Sequence, residues 1–346
     1  MSAKACDLAV VIGRFQPLHG GHLALLQRAL ALAPRCVLVL GSAHQARTPR
    51  APLADDERLA LLRQALPIEA QGRVQMLTLR DHADVATWAR RLQRTVERRC
   101  GPGRVLLVGR VADATGEYQR QIPGWDFEDV AEVPSVDATA LAESLYADAP
   151  FPTTGLPAAT QAFLAQWRAT SPHRAALAEE WRHLRAYRQA WAAAPYPPVF
   201  VTVDAVVTCA DHVLLIRRAH APGRGLYAVP GGFIEQRETT LQSALRELAE
   251  ETHFDLPAAD LQNALRAQAV FDDPQRSQRG RTITHAFHFD LGTRPLPAVR
   301  ADDDAQSVEW VPLAALHAIE DRFHDDHFLM LDHFLGLSTD GEDQAD

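Results

Sequence analysis

Four short apolar runs organise the first half of this chain: LAVVIGRF (8–15), CVLVLGSA (36–43), VQMLTLRD (74–81) and RVLLVGRV (104–111). Each has the length of a buried strand, and stretches of helix length separate them, near 21–32, 54–66 and 84–99. Strands that alternate with helices pair in parallel, because each crossover helix carries the chain back to the same end of the sheet. Such a sheet is covered on both faces, and ligands bind beyond the carboxyl ends of its strands. The stretch DVATWARRLQRTVERR opens with Asp84 as an N-cap and closes in arginines, which suit a helix C-terminus.

The rest of the chain has a different rhythm. Residues 161–194 read as helical, with Trp167, Trp181, Leu184, Tyr187 and Trp191 near helical spacing and read as packing between domains. The prolines of APYPPVF (194–200) end that pattern. VFVTVDAVVTC (199–209) and HVLLIRR (212–218) then form a hairpin around an Ala-Asp turn, the start of a mostly antiparallel sheet. A helix over 239–252, strands over 267–272, 282–291 and 306–311, and a last helix follow, and the acidic tail STDGEDQAD is expected to fray. A chain of 346 residues with 47% apolar content has room for two cored domains. Its net charge of −9 argues against general nucleic-acid binding. No apolar run reaches the roughly 18 residues of a membrane helix, and no signal peptide is visible. The four cysteines form no CxxC pair and read as reduced thiols, so a cytoplasmic location is expected.

Between the first strand and the first helix lies Gly13-Arg14-Phe15-Gln16-Pro17-Leu18-His19-Gly20-Gly21-His22. Glycines let backbone approach a ligand closely, and free N–H groups at a helix start attract an anion. His19 and His22 are three residues apart and can share one face of the first turn, where two imidazoles can donate to charge on a transferring phosphate. This segment resembles the HxGH nucleotidyltransferases, and more narrowly the archaeal-type nicotinamide mononucleotide (NMN) adenylyltransferases. The likeness continues through Gly41–Thr48, Glu57-Arg58, Asp81, Trp88 and Gly109 and ends near Tyr146. It implies transfer of the adenylyl group of ATP to NMN, giving NAD and pyrophosphate, by positioning and electrostatics without a covalent intermediate. It also implies that His19, His22 and Arg14 hold phosphates and that Trp88 stacks on the nicotinamide ring, the other reading of Trp88 being a core residue. Gly13, Phe15, Ser42, Arg47, Thr48, Gly109, Asp113 and Thr139 complete the implied nucleotide-binding set.

The chain departs from that pattern in three places. Arg50-Ala51-Pro52 stands for Lys-Asn-Pro, Ala112-Asp113 for Lys-Asp, and Asp137-Ala138-Thr139-Ala140-Leu141-Ala142 for a motif that ends in arginine. Lys4 is the only lysine, so Arg50 fits a general replacement of lysine by arginine, whereas Ala142 supplies no charge. A lost charge-assisted hydrogen bond costs about 1.5–3 kcal/mol.

The second half carries Gly231-Gly232, then Glu238, then Arg246-Glu247-Leu248-Ala249-Glu250-Glu251. Glu247 and Glu251 are i,i+4 on one helix face with Glu250 beside them; like charges so placed repel unless a cation lies between them. Hard oxygen donors without nearby Cys or His suit Mg²⁺ or Mn²⁺. Taken alone, the run also reads as a solvated acidic face. The full spacing, five residues from Gly232 to Glu238 and seven from there to Arg246, resembles the Nudix box, except that His253 replaces its last glycine. The resemblance implies metal binding by Glu247, Glu250 and Glu251, hydrolysis of a nucleoside diphosphate derivative, and orienting roles for Glu238 and Arg246. Glu309 and the run Asp302–Asp304 are candidates for a general base.

Phe271-Asp272-Asp273-Pro274, with Arg276, Arg279 and Arg281, resembles ADP-ribose pyrophosphatases, including those fused to an adenylyltransferase. It implies that Phe271, Arg279 and Arg281, with Gly231 and Gly232, bind ADP-ribose, which is cut to AMP and ribose 5-phosphate. The resulting reading is a nucleotidyltransferase domain of Rossmann-like parallel-sheet type at 1–155, a helical linker at 156–198 and an α+β Nudix sandwich at 199–340. The expected ligands are ATP, NMN, NAD and ADP-ribose, with neither nucleic acid nor membrane, and a homo-oligomer is left open. Two alternatives stand: a hydrolase with a degenerate first domain, and a non-catalytic sensor of NAD metabolites.

Overall fold

The computed structural model describes residues 6–112, 114–132, 136–254, 256–302 and 305–337. They divide into two compact units, one ending at Ala178 and the other beginning at Glu179.

In the first unit, β1 (Leu8–Gly13), β2 (Arg35–Leu40), β3 (Val74–Thr78), β4 (Val105–Gly109) and β5 (Asp126–Asp129) form one sheet. Its order is β3-β2-β1-β4-β5 and every pairing is parallel. The crossovers carry α1 (Gly20–Leu32), α2 (Asp55–Ala65), the single-turn α3 (Ile68–Gln71), α4 (Val85–Cys100) and α5 (Ala114–Gln121). Then come α6 (Ala138–Tyr146), α7 (Ala158–Thr170) and α8 (Arg174–Ala190), and the division into units falls within α8. Each of the four apolar runs forms a strand that ends before the run does, because the chain leaves the sheet to build the loops at its carboxyl edge. Asp84 caps α4, accepting from the N–H of Ala86 at 3.3 Å and of Thr87 at 2.7 Å. Strand β5 has no apolar signature: it is DFED, a short acidic edge of the kind that discourages further pairing. The expected helix over 161–194 is two helices, because Pro172 has no N–H to continue the ladder.

The second unit holds β6 (Val199–Cys209), β7 (His212–Arg218), β8 (Tyr227–Ala228), β9 (Gly231–Phe233), α9 (Thr240–Thr252), α10 (Ala258–Ala264), β10 (Leu265–Phe271), β11 (Arg281–Asp290), β12 (Ala305–Pro312) and α11 (His327–Leu335). The main sheet runs β10-β11-β6-β7-β12, with β8 on β7 and β9 on β6. Its pairings are antiparallel except for β6 with β11, so the sheet is mixed. Ala210 and Asp211 turn the hairpin with φ of 45° and 60°, as a type I′ turn requires. Along β6 the side chains alternate between layers. Val203, Ala205 and Val207 pack with Ala244 and Leu248 of α9, while Val206 packs with Phe328, Met330 and Leu331 of α11. The sheet is thereby sandwiched between helices, and the loop from β9 leads directly into α9.

Candidate active sites

The first candidate site lies where β1 passes into α1. The backbone N–H of His19 donates to Nδ1 of His22 at 3.3 Å, and the two rings stack with centroids 3.7 Å apart. Burial lowers the pKa of both; for His22 the neighbouring charges of His19 and Arg14 lower it further. Both imidazoles are therefore neutral near pH 7. Because Nδ1 of His22 accepts, its proton sits on Nε2. A Cβ on Gly13 would lie 3.1 Å from that Nε2 and 3.0 Å from the ring of Phe15, so the residue ending β1 has room for little beyond a hydrogen. Phe15 is buried with a φ of 50°, and its ring lies 4.6 Å from His22.

Arg58 joins this loop to the next one. Its side chain is 1% exposed and donates to the carbonyls of Arg14 (2.8 Å), Gly41 (2.8 Å) and Ser42 (3.1 Å) and to Asp55 (2.6 Å). Ser42 is fixed in turn, its N–H and Oγ bonding Asp81 at 3.2 and 2.8 Å. Arg47 donates to Glu57 and to the carbonyl of Pro52, and Thr48 closes a tight turn with Ala51. Glu57 also accepts from the N–H of Ala54 at 2.9 Å and the indole of Trp167 at 3.2 Å. Gly109 ends β4, beside β1 in the sheet. Gly13, the two histidines, Ser42 and Gly109 therefore share the carboxyl edge of the central strands. Trp88 does not join them. It is 4% exposed in the core of α4 and the sheet, stacked on Tyr118 at 4.3 Å, which is the packing its alternative reading expects. The N–H of Thr139 is used by the N-cap Asp137 at 2.8 Å. Asp113 lies outside the described residues.

The second site is built around α9. Thr239 and Gln242 form its capping box, and His253 ends it in the left-handed conformation, φ 42°, which the family glycine adopts at no steric cost. Glu251 is 8% exposed and accepts from the N–H of Gly231 at 2.9 Å. Burial, reinforced by the charge of Glu247, pushes its pKa up to about 8. Gly231 cannot carry a side chain, since a Cβ there would lie 2.2 Å from the carbonyl oxygen of Val203. On Gly232 it would lie 2.5 Å from the carboxyl of Glu247. Gly232 thus lets the Glu247 carboxyl press against backbone, while Gly231 lets β9 lie against Val203 and Asp204 of β6. Arg246 gathers the remaining charges: it bonds Glu238 at 3.0 Å, Glu247 at 2.8 Å, Glu250 at 2.9 Å and the carbonyl of Phe233 at 3.1 Å. Glu238 also accepts from Ser243 at 2.8 Å, so the loop before α9 is tied to the helix.

These donors fit a hard divalent cation. Glu247 and Glu251 face the two glycines with no nitrogen or sulfur ligand among them, and burial raises the cost of their charge unless a cation shares the site. Among the described residues, however, no three His, Cys, Asp or Glu side chains are gathered as a ready cation cage. Glu250 is directed to Arg246, which neutralises charges that would otherwise repel.

The residues read as substrate contacts are dispersed. Phe271 is 8% exposed and packs edge-on against His333 and Phe334, inside the core. Arg281 donates to the carbonyl of Asp272. Arg276 is buried in a two-bond pair with Asp326, at 2.8 and 2.7 Å. Only Arg279 stands near the box, its guanidinium 5.2 Å from the ring of Phe233. Of the base candidates, Glu309 lies 3.7 Å from Arg217 and Asp302 pairs with His253 at 2.9 Å, while Asp303 and Asp304 lie outside the described residues. Phe233 and Arg218 were not read as site residues. Phe233 is signalled by its place right after the glycine pair; Arg218, half-buried near the charge of Glu251, carries no sequence signal.

Comparison with known proteins bears on both sites. A NUDIX-domain family model matches residues 198–334 and a cytidylyltransferase-like model residues 10–110. A Francisella tularensis crystal structure described as a bifunctional NMN adenylyltransferase/ADP-ribose pyrophosphatase, complexed with AMP and a manganese ion, superimposes with a TM-score of 0.88. The two are 32% identical over 96% of this chain and 99% of that one. An ADP-ribose pyrophosphatase of Methanocaldococcus jannaschii is 34% identical over 33% of this chain, which spans 62% of that relative. A nicotinamide/nicotinic acid mononucleotide adenylyltransferase of Acinetobacter baylyi is 29% identical over 40% of this chain and 76% of its own length. No helix among the described residues is long and apolar enough to cross a membrane.

Proposed function

We propose that this chain, which belongs to the family of bifunctional NMN adenylyltransferase/ADP-ribose pyrophosphatases, carries out two reactions at two separate sites. The first, assigned to residues 1–155, moves the adenylyl group of ATP onto NMN and releases pyrophosphate. The second, assigned to residues 199–340, adds water to ADP-ribose and yields AMP and ribose 5-phosphate. The helical stretch 156–198 joins them.

At the first site the chain's task is to hold and orient. Gly13 lets the rings of Phe15 and His22 pack against the end of β1, beside the N-terminus of α1, where free N–H groups attract a phosphate. Neutral His22 offers its Nε2–H, and His19, stacked beside it, offers a second neutral donor. Fixed donors of this kind favour charge that grows on the transferring group, since they need no reorganisation.

At the second site Glu247, Glu250 and Glu251 would hold a divalent cation, Mg²⁺ or Mn²⁺. Bound there, the cation supplies charge to the diphosphate and acidifies a water. Gly231 keeps Glu251 in place through its N–H, and Arg246 fixes the preceding loop through Glu238 and the Phe233 carbonyl. The observation that carries this reading is the glycine pair, with Gly232 packed against the Glu247 carboxyl and the Gly231 N–H bonded to Glu251.

A second reading, hydrolysis alone, is favoured by one feature. Helix α6 opens with the carboxylate of Asp137 and bears Ala142 where the related motif has arginine, leaving that turn without a cation for ATP phosphates. The two readings separate when the protein is given ADP-ribose in one vessel and ATP with NMN in another, each with Mg²⁺. AMP in the first and NAD in the second support both activities; AMP alone supports hydrolysis alone; neither product defeats the proposal.

A further inference from the structure

Helix α7 lies beyond the region assigned to adenylyl transfer, yet it belongs to the first compact unit, and the stretch 155–170 reaches both loops of the first site. The carbonyl of Gly155 accepts from the N–H of Gly20 at 2.8 Å, between His19 and His22. Leu156, Thr160, Leu164 and Trp167 are all buried. Arg168 donates to the carbonyls of Ser144 (2.9 Å) and Ala149 (3.2 Å), which fastens α7 to the end of α6. This helix is a fixed part of its unit rather than a loose tether.

Trp167 has a polar task there besides its packing. Its indole N–H donates to Oε1 of Glu57 at 3.2 Å, while Oε2 of Glu57 accepts from Arg47 and from the N–H of Ala54 at 2.9 Å. A carboxylate held at both oxygens has a fixed plane, whereas one held at a single oxygen can turn about its last bond. Arg47 takes its orientation from that carboxylate. Both of its bonds among the described residues, to Glu57 and to the carbonyl of Pro52 at 2.7 Å, run from Nη1. The edge made by Nε and Nη2 is left for a ligand. Such an edge gives two parallel N–H bonds to a phosphate, and because the guanidinium is planar, holding one corner aims the opposite edge. Arg47 lies in the loop that follows β2, beyond the carboxyl end of a central strand, where a parallel sheet binds its ligand.

We infer that Trp167 is a positioning residue for adenylyl transfer: through Glu57, its indole N–H sets the plane of the Arg47 guanidinium and aims its open edge at a phosphate. This rests on reading the first site as an adenylyltransferase, and it extends that site past residue 155 into α7. Trp167 touches no substrate in this arrangement; it acts through two other side chains.

The test uses the full chain and compares Trp167→Phe with Trp167→His. Phenylalanine keeps most of the buried ring and loses the N–H; histidine is smaller but restores a ring N–H. The relay requires Trp167→Phe to lower kcat/KM for NAD formation from ATP and NMN by about 3- to 10-fold, and Trp167→His to stay closer to wild type. A role in packing alone gives the reverse order, because histidine fills less of the core. Arg47→Ala should cost about 10- to 150-fold, and adding Trp167→Phe to it should cost nothing more, since the relay ends on the side chain already removed. ADP-ribose hydrolysis should be the same in every variant. Wild-type transfer in Trp167→Phe, better transfer in the Phe than in the His variant, or an equal loss with and without Arg47 overturns the assignment. If wild type binds ATP without making NAD, the same cycle is read on the Kd for ATP by calorimetry, with the same order expected. A wild type that neither binds ATP nor makes NAD overturns the reading of the first site, and the relay with it.

Discussion

The two candidate sites offer a phosphate opposite surroundings. In the first unit the candidate groups are backbone, a glycine and two neutral imidazoles, and the buried charge of Arg58 goes to carbonyl oxygens and Asp55. In the second unit the groups are carboxylates crowded against two glycines and balanced by Arg246. A cradle of neutral donors selects by shape and needs little counter-charge. A cluster of acids waits for a cation and takes phosphate only through it. Glycine serves both, but at Gly13 it makes room for rings and at Gly232 for a carboxylate.

The contrast breaks first at Glu251. Changing Glu251→Gln should cut ADP-ribose hydrolysis by roughly a hundredfold or more, because a charge that helps bind the cation is gone. Adenylyl transfer should stay the same; a parallel loss of both activities would mean the sites are not independent. Next in size is His19→Ala, which removes a preorganised donor and should lower transfer by about 10²-fold with hydrolysis intact. Wild-type transfer rates in that variant would remove the histidines from the chemistry. Gly232→Ala sharpens the comparison from the other side. Its Cβ would press on the Glu247 carboxyl and should lower hydrolysis by roughly 10–100-fold while the melting temperature holds. Full activity would show that Glu247 need not lie against the backbone. The smallest effect is a gain: Ala142→Arg should speed transfer up to about tenfold if a missing cation limits it. An unchanged rate would locate the limit elsewhere.

Much of this was legible before any coordinates. Strand and helix alternation predicts the parallel sheet, since a pattern of buried runs and crossovers has few other solutions. The spacing from Gly232 to Glu251 predicts one helix face and its loop, because both are local. What the sequence hides is long-range. Nothing in RTITHAFHFD says that β11 pairs in parallel with β6, a strand far from it in the chain. An aromatic beside arginines looks the same whether it faces solvent or core. Phe271 is turned inward by the alternation of β10, while Phe233 and Trp191 are brought together only by Phe200. The acidic strand β5 offers no apolar pattern at all.

The buried guanidinium of Arg58 has a mechanical consequence. Because one planar group grips the loop after β1 through Arg14 and the loop after β2 through Gly41 and Ser42, neither loop can shift without straining the other. The spacing of the two loops is therefore set by the width of one guanidinium.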